Sequence, residues 1–82
     1  MNIEVAIPCY NEQVTIAKVI RDFRQALPEA HVVVYDNNSQ DSTASLASEA
    51  GARVVRVSRQ GKGYVMQAVF ASSQADIIIG HG

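Results

Sequence analysis

Four short runs of β-branched and apolar residues alternate with three segments of helical period, and that order constrains the fold more than any other feature of the chain. Ile3 to Ile7, His31 to Tyr35, Arg53 to Val57 and Asp76 to Ile79 read as strands. Between the first two, Ile16, Ile20, Phe23 and Leu27 fall on one stripe of a 3.6-residue period. Ser42 to Ala50 and Tyr64 to Ser73 read as the second and third helices, the third with Val65, Ala68 and Val69 facing inward. The order βαβαβαβ predicts an α/β fold, three-layer α/β/α, with a mainly parallel sheet and right-handed crossovers. His31 to Tyr35 is almost wholly apolar, as suits a strand buried on both faces.

Local signals give the expected boundaries. Pro8 cannot donate to a ladder and is expected to end strand one. Asn11 is the expected N-cap of the first helix, with Glu12 at the positive end of its dipole and Pro28 as its stop. Asp41 is the expected N-cap of the second helix, and Gly51 its C-terminal stop. Arg53 and Arg56 are expected on the solvent side of strand three.

The chain has 82 residues, 48% of them apolar and 18% charged, a balance that argues against disorder. A folded chain of this size should expose about 4,800 Å², and burying about 63% of the unfolded surface leaves only a thin core. Seven basic against eight acidic residues give a net charge of −1, which offers no basic surface for nucleic acid. The single cysteine, Cys9, excludes an internal disulfide and a cysteine-built zinc site. Apolar runs are too short to cross a bilayer, and the first residues lack a signal pattern, so a cytoplasmic location is expected. Strand four has barely begun when the sequence stops at Gly80-His81-Gly82, so the 82 residues are read as a single half-domain, a fragment of a longer protein.

In an open α/β sheet the ligand site lies outside the carboxyl ends of the strands. Those ends carry Pro8-Cys9-Tyr10-Asn11-Glu12, Asp36 to Asp41, and Arg59-Gln60-Gly61-Lys62-Gly63. Turn chemistry accounts for the Asn, Asp, Ser and Gly among them. It does not require a Tyr, a Glu, an Arg and a Lys at one edge. Asp36 is placed to accept hydrogen bonds from a base or ribose, or to form an Asx-turn. Tyr10 either stacks on a base or covers the sheet end. Lys62, between two glycines, either reaches a phosphate or decorates a loop, and no P-loop pattern is present. Cys9 reads as a small buried residue without a catalytic partner.

Ala6-Ile7-Pro8-Cys9-Tyr10-Asn11-Glu12 resembles the "IPxYNE" signature of family 2 glycosyltransferases, and Tyr35 to Thr43 is similar to their "vDNxSxDxT" segment. Ala50-Gly51-Ala52, Arg59 to Gly63 and Ala75 to Ile79 match in order and spacing. The motifs look most like those of bacterial polyprenyl- or dolichyl-phosphate sugar transferases. The resemblance implies a GT-A fold with a Rossmann-like first half, a nucleotide-sugar donor such as a UDP-sugar, and Mg²⁺ or Mn²⁺ in the full-length protein. It implies a lipid-phosphate acceptor. It assigns Pro8, Tyr10 and Glu12 to the nucleotide pocket, Asp36 to the base, and Lys62 and Asp76 to the base and ribose side. The family's metal-binding DxD motif is absent: the corresponding stretch reads Ile79-Gly80-His81-Gly82. No catalytic residue and no tight metal site are therefore expected in this chain.

Two other classes remain open. A dinucleotide-binding domain shares the acid after strand two, but Pro8 to Glu12 lacks the GxGxxG turn. A non-catalytic or self-associating module, a homo-oligomer joined through the exposed sheet edge, fits an incomplete sheet.

Overall fold

A computed structural model describes residues 1–81. The sheet is built around β1 (Ile3–Cys9) and β2 (His31–Asp36), flanked by β3 (Arg53–Arg56) and β4 (Ile77–Gly80). Its order is β3-β2-β1-β4, and every pairing is parallel. Helices α1 (Ile16–Ala26), α2 (Thr43–Glu49) and α3 (Lys62–Ser72) form the crossovers. The expected α/β order is thus observed, with strand four beside strand one.

Alternation along the two inner strands divides the core. Val5, Ile7 and Cys9 of β1 and Val32 and Val34 of β2 meet Ile16 and Ile20 of α1 and Ala47 of α2. Ala6, Val33 and Tyr35 point the other way, toward Val65 and Val69 of α3. Phe23 and Leu27 continue the α1 stripe, half-buried against the first cluster. Glu4 joins the α3 side. It is buried, and Tyr35 donates its hydroxyl hydrogen to Glu4 Oε2 at 2.7 Å. Burial raises the Tyr35 pKa, so the phenol stays neutral and available as a donor at pH 7.

Several boundaries differ from expectation. β1 runs through Pro8 to Cys9, with Pro8 in register with Tyr35. The missing N–H takes no bond from the ladder with β2: Cys9 turns its carbonyl to that side, where it accepts from the Asn37 amide at 2.9 Å, and the neighbouring Pro8 faces the other way. Asn11 is not a helix cap. It adopts φ 51° in the loop, and α1 starts at Ile16 behind Thr15, which makes no side-chain cap. Glu12 consequently lies outside the first turn, where its carbonyl accepts from Thr15 and Ile16. Ser42, not Asp41, occupies the N-cap position of α2, yet the Asp41 carboxylate still accepts from the Thr43 amide at 2.9 Å.

Gly51 closes α2 as expected, at φ +100°, a conformation that favours glycine. A Cβ there would also lie 2.1 Å from Arg24 Nη1, because that guanidinium packs over Gly51 to donate to the Ala50 carbonyl at 2.9 Å.

Coverage of the sheet is uneven. The chain exposes 5158 Å², somewhat above the ~4,800 Å² of the scaling law. Ile77, Ile78 and Ile79 of β4 are 42%, 39% and 37% exposed, and Phe70 of α3 is 73% exposed.

Candidate functional site

The parallel strands deliver three loops to one edge: Tyr10 to Thr15 after β1, Asn37 to Ser42 after β2, and Val57 to Gly61 after β3. Polar side chains stitch the first two together reciprocally. The Asn11 amide donates to Ser39 Oγ at 2.9 Å, and the Gln40 amide to Asn11 Oδ1 at 2.8 Å. The Glu12 amide donates to Thr43 Oγ1 at 2.8 Å, the Gln13 amide to Asp41 Oδ2 at 3.3 Å, and the Ser42 amide to Gln13 Oε1 at 3.2 Å. Asn37 fastens the third loop. Its Nδ2 donates to the Val57 and Arg59 carbonyls at 3.2 and 2.7 Å, and its Oδ1 accepts from the Gly61 amide at 3.1 Å. Asn11, Asn37, Ser39, Asp41 and Thr43 are therefore consumed in loop construction. Hydrogen bonds from Thr43 hold the Asp41 carboxyl below the usual carboxylate range.

Asp36 is different. It ends β2 fully buried, in register between Cys9 and Arg56. Its Oδ1 accepts from the Ser39 amide at 3.3 Å and from the Ser39 hydroxyl. Its Oδ2 is buried with no hydrogen-bond partner. A buried acceptor left unmade costs about 1–3 kcal/mol, and more when charged, so it calls for a reason to be there. The nearest cation is Arg56, whose Nη1 lies 3.6 Å from Oδ2 and whose Nη2 donates to the Ser39 carbonyl at 3.3 Å. Arg53 and Arg56 are both exposed, as expected, and Arg56 in addition reaches over the carboxyl edge toward Asp36. The in-register pairing of two side chains of opposite charge draws it there.

Tyr10 is 47% exposed beside this edge, and Pro8 and Glu12 are exposed near it. Lys62 is exposed as the first residue of α3. Arg59 lies over the Tyr64 ring, 5.6 Å from its centroid. Cys9 is buried, and its thiol is pushed up to about 12, by desolvation first and then by Asp36, Glu12 and Asp41. That removes it as a nucleophile at neutral pH.

Asp76 is not brought to this edge. It precedes β4 and accepts from the Asn2 amide at 2.9 Å, at the amino ends of the strands. Parallel pairing of β4 with β1 puts the start of β4 next to the start of β1, on the side of the sheet away from Asp36. A cleft of about 480 Å³ also opens at the amino ends, lined by Glu4, Arg24, His31, Arg53 and Gln74 among others. Its size does not make it the better site. Its Arg24 caps α2 and its Glu4 is held by Tyr35, whereas the unpartnered acceptor is at the opposite edge.

Among the described residues, no group of three or more His, Cys, Asp or Glu is arranged to hold a metal ion. The described residues do not fit a diphosphate-bound Mg²⁺ or Mn²⁺. Gly82, the last residue of the stretch compared with the DxD motif, lies outside the described residues.

The residues that sequence reasoning missed are Arg56 and Asn37. Arg56 carries a visible signal only once β2 and β3 are aligned. Asn37 lay within a recognised turn cluster, where its clamp on the third loop has no local signature.

Comparison with known proteins places the chain in a family. The chain is 54% identical over 78 residues to protein RfbJ of Shigella flexneri, an alignment spanning 95% of this chain and 60% of RfbJ. It is 45% identical over 76 residues to glycosyltransferase AglJ of Haloferax volcanii, spanning 92% of this chain but 25% of AglJ. The crystal structure of Mycobacterium tuberculosis glucosyl-3-phosphoglycerate synthase superposes with a TM-score of 0.85 at 31% identity, covering 96% of this chain and 34% of that one. That synthase has also been crystallised with Mn²⁺, UDP and glucosyl-3-phosphoglycerate. The pattern of glycosyl transferase family 2 matches residues 4–81, and the chain belongs to that family.

Proposed function

We infer that these 82 residues form the nucleotide-diphosphate-sugar-binding half-domain of a family 2 glycosyltransferase, with a UDP-sugar as donor. The observation that carries this reading is the unpartnered Oδ2 of Asp36, a buried acceptor at the carboxyl edge of a parallel sheet. A base ring N–H is a fitting partner for it. The UDP complex of the mycobacterial synthase supports the choice of nucleotide. Tyr10 and Pro8 then cover the base, Glu12 lies on the nucleotide side of the first loop, and Lys62 offers its ammonium toward phosphate. The role the resemblance gives Asp76 has no support from its position, since Asp76 starts β4 at the other edge.

The division of labour follows from what the edge contains. The stitched loops hold the recognition residues without movement, and Asp36 fixes the base. Transfer of the sugar requires the leaving diphosphate's charge to be stabilised and an acceptor hydroxyl or phosphate to be activated. The described residues bring together no acids for the first and no base for the second. We assign both, and a lipid-phosphate acceptor, to the portion of the longer relatives that this chain does not match. The 82 residues alone bind and do not transfer.

The open side of β4 gives the same chain a second property. Its edge carries no charge across Ile77-Ile78-Ile79, and we assign it to pairing with a second copy.

Calorimetric titration with UDP and with NAD separates the nucleotide-sugar reading from a dinucleotide-binding one. Saturable heat with UDP and none with NAD is expected. Preference for NAD, or no saturable UDP binding, would overturn the reading.

A further inference from the structure

Arg56 and Asp36 are Cα partners across β2 and β3, so their side chains leave the same face of the sheet at its carboxyl edge. Nη1 lies 3.6 Å from Oδ2, beyond hydrogen-bond reach. Nη2 is held loosely by the Ser39 carbonyl at 3.3 Å, and the Arg56 side chain remains 56% exposed. Oδ2 is buried, with the guanidinium beside it and no partner of its own. The edge thus sets an unsatisfied acceptor next to a donor group with N–H hydrogens to spare. The two groups form an ion pair without a hydrogen bond between them. An acceptor and a donor left side by side match a ligand that offers a donor and an acceptor in the same order.

We propose that Arg56 is the second half of a base-reading pair: Asp36 Oδ2 accepts from a ring N–H, and the Arg56 guanidinium donates to the neighbouring ring carbonyl. The ligand class is a nucleoside diphosphate whose base has this N–H/C=O edge, as uracil has. Cytosine presents the reverse, a ring-nitrogen acceptor beside an amine donor, and would leave both protein groups unpaired. Such mismatches are discriminated strongly because the site's own buried polar groups lose their partners. On binding, the guanidinium turns off the carboxylate, and the Ser39 carbonyl keeps it at the edge. The inference rests on the reading of this edge as the nucleotide site.

The test is an NMR titration of the ¹⁵N-labelled full chain with UDP, CDP and GDP, for the parent and for Arg56→Met, Arg56→Lys and Asp36→Ala. Amide dispersion reports whether each variant is folded. The parent is expected to prefer UDP to CDP. Arg56→Met is expected to lose roughly tenfold of its UDP affinity, the size of one lost charged hydrogen bond, with CDP affinity unchanged. Arg56→Lys, which keeps one point donor, should recover part of the loss. Guanine carries the same edge, and GDP is expected to bind more weakly than UDP; tighter GDP binding that also depends on Arg56 would assign the pair to a purine. Equal weakening of UDP and CDP by Arg56→Met would make Arg56 a phosphate contact, and stronger binding of both would make it a mere cover. Either result, or unchanged UDP affinity, overturns the pair. Unchanged UDP affinity in Asp36→Ala instead overturns the base site itself, whatever Arg56 does.

Discussion

Asp36→Ala should weaken UDP binding by about tenfold to a hundredfold, the equivalent of a charged hydrogen bond of roughly 1.5–3 kcal/mol. The same change should not unfold the chain. In the free protein Asp36 Oδ2 is buried without a hydrogen bond, so its removal relieves a cost as well as losing the ion pair with Arg56 and the two bonds that Ser39 makes to Oδ1. Asp36→Asn separates these effects, because it keeps the shape and an acceptor for Ser39 while removing the charge. Its melting temperature should equal or exceed that of the parent while UDP affinity falls. A residue that weakens binding when changed, yet not stability, has been retained for the ligand. A lower melting temperature with intact UDP affinity would reassign Asp36 to loop construction, alongside Asn11 and Thr43.

Concentrated samples should contain dimers that Ile78→Lys abolishes. The two edges of the sheet are not equivalent. β3 is bounded by Arg53 and Arg56, charges that discourage pairing with another strand. β4 presents three consecutive isoleucines, each more than a third exposed, beside an open row of backbone donors and acceptors. Antiparallel pairing of two β4 edges would continue the sheet through both copies and cover those side chains. A lysine within the strand charges the edge, and two copies would bring like charges together. Light scattering should report a concentration-dependent mass for the parent and the monomer mass for Ile78→Lys. A parent that stays monomeric at high concentration would contradict the assignment.

The sequence made the element order legible because burial on both faces leaves a plain record. Val32, Val33 and Val34 cannot alternate with polar residues when α1, α2 and α3 cover both sides. Helix starts were less legible. Asn11 has the composition of a cap, but its side chain accepts from the Gln40 amide, and Asp41 divides its carboxylate between Thr43 and the Gln13 amide; nothing local announces the partners on the other loop. Pro8 misled for a different reason: proline disrupts a ladder only where its N–H is needed, and Pro8 turns that side away from β2, to which Cys9 presents its carbonyl. Glu4 carried no assignment from the sequence; it is buried, and Tyr35 arrives from the neighbouring strand to hydrogen-bond its carboxylate. In the site, Asp36 was legible from its place after a buried strand. Arg56 was not, since its function depends on register between strands rather than on spacing along the chain. Asp76 shows the same limit in reverse: a motif match located it in the chain, and parallel topology places it at the amino edge, away from Asp36.

The account's central claim is that nucleotide binds at the carboxyl edge, although the roomier cleft lies at the amino edge. Backbone amide shifts of the ¹⁵N-labelled chain during a UDP titration test it directly. The two edges lie at opposite ends of the strands and have separate reporters. The account predicts saturating shifts at Tyr10, Asn11, Asn37, Ser39 and Gly61, with His31, Arg53 and Gln74 undisturbed. Shifts centred on His31, Arg53 and Gln74, with the Asp36 loop silent, would contradict it.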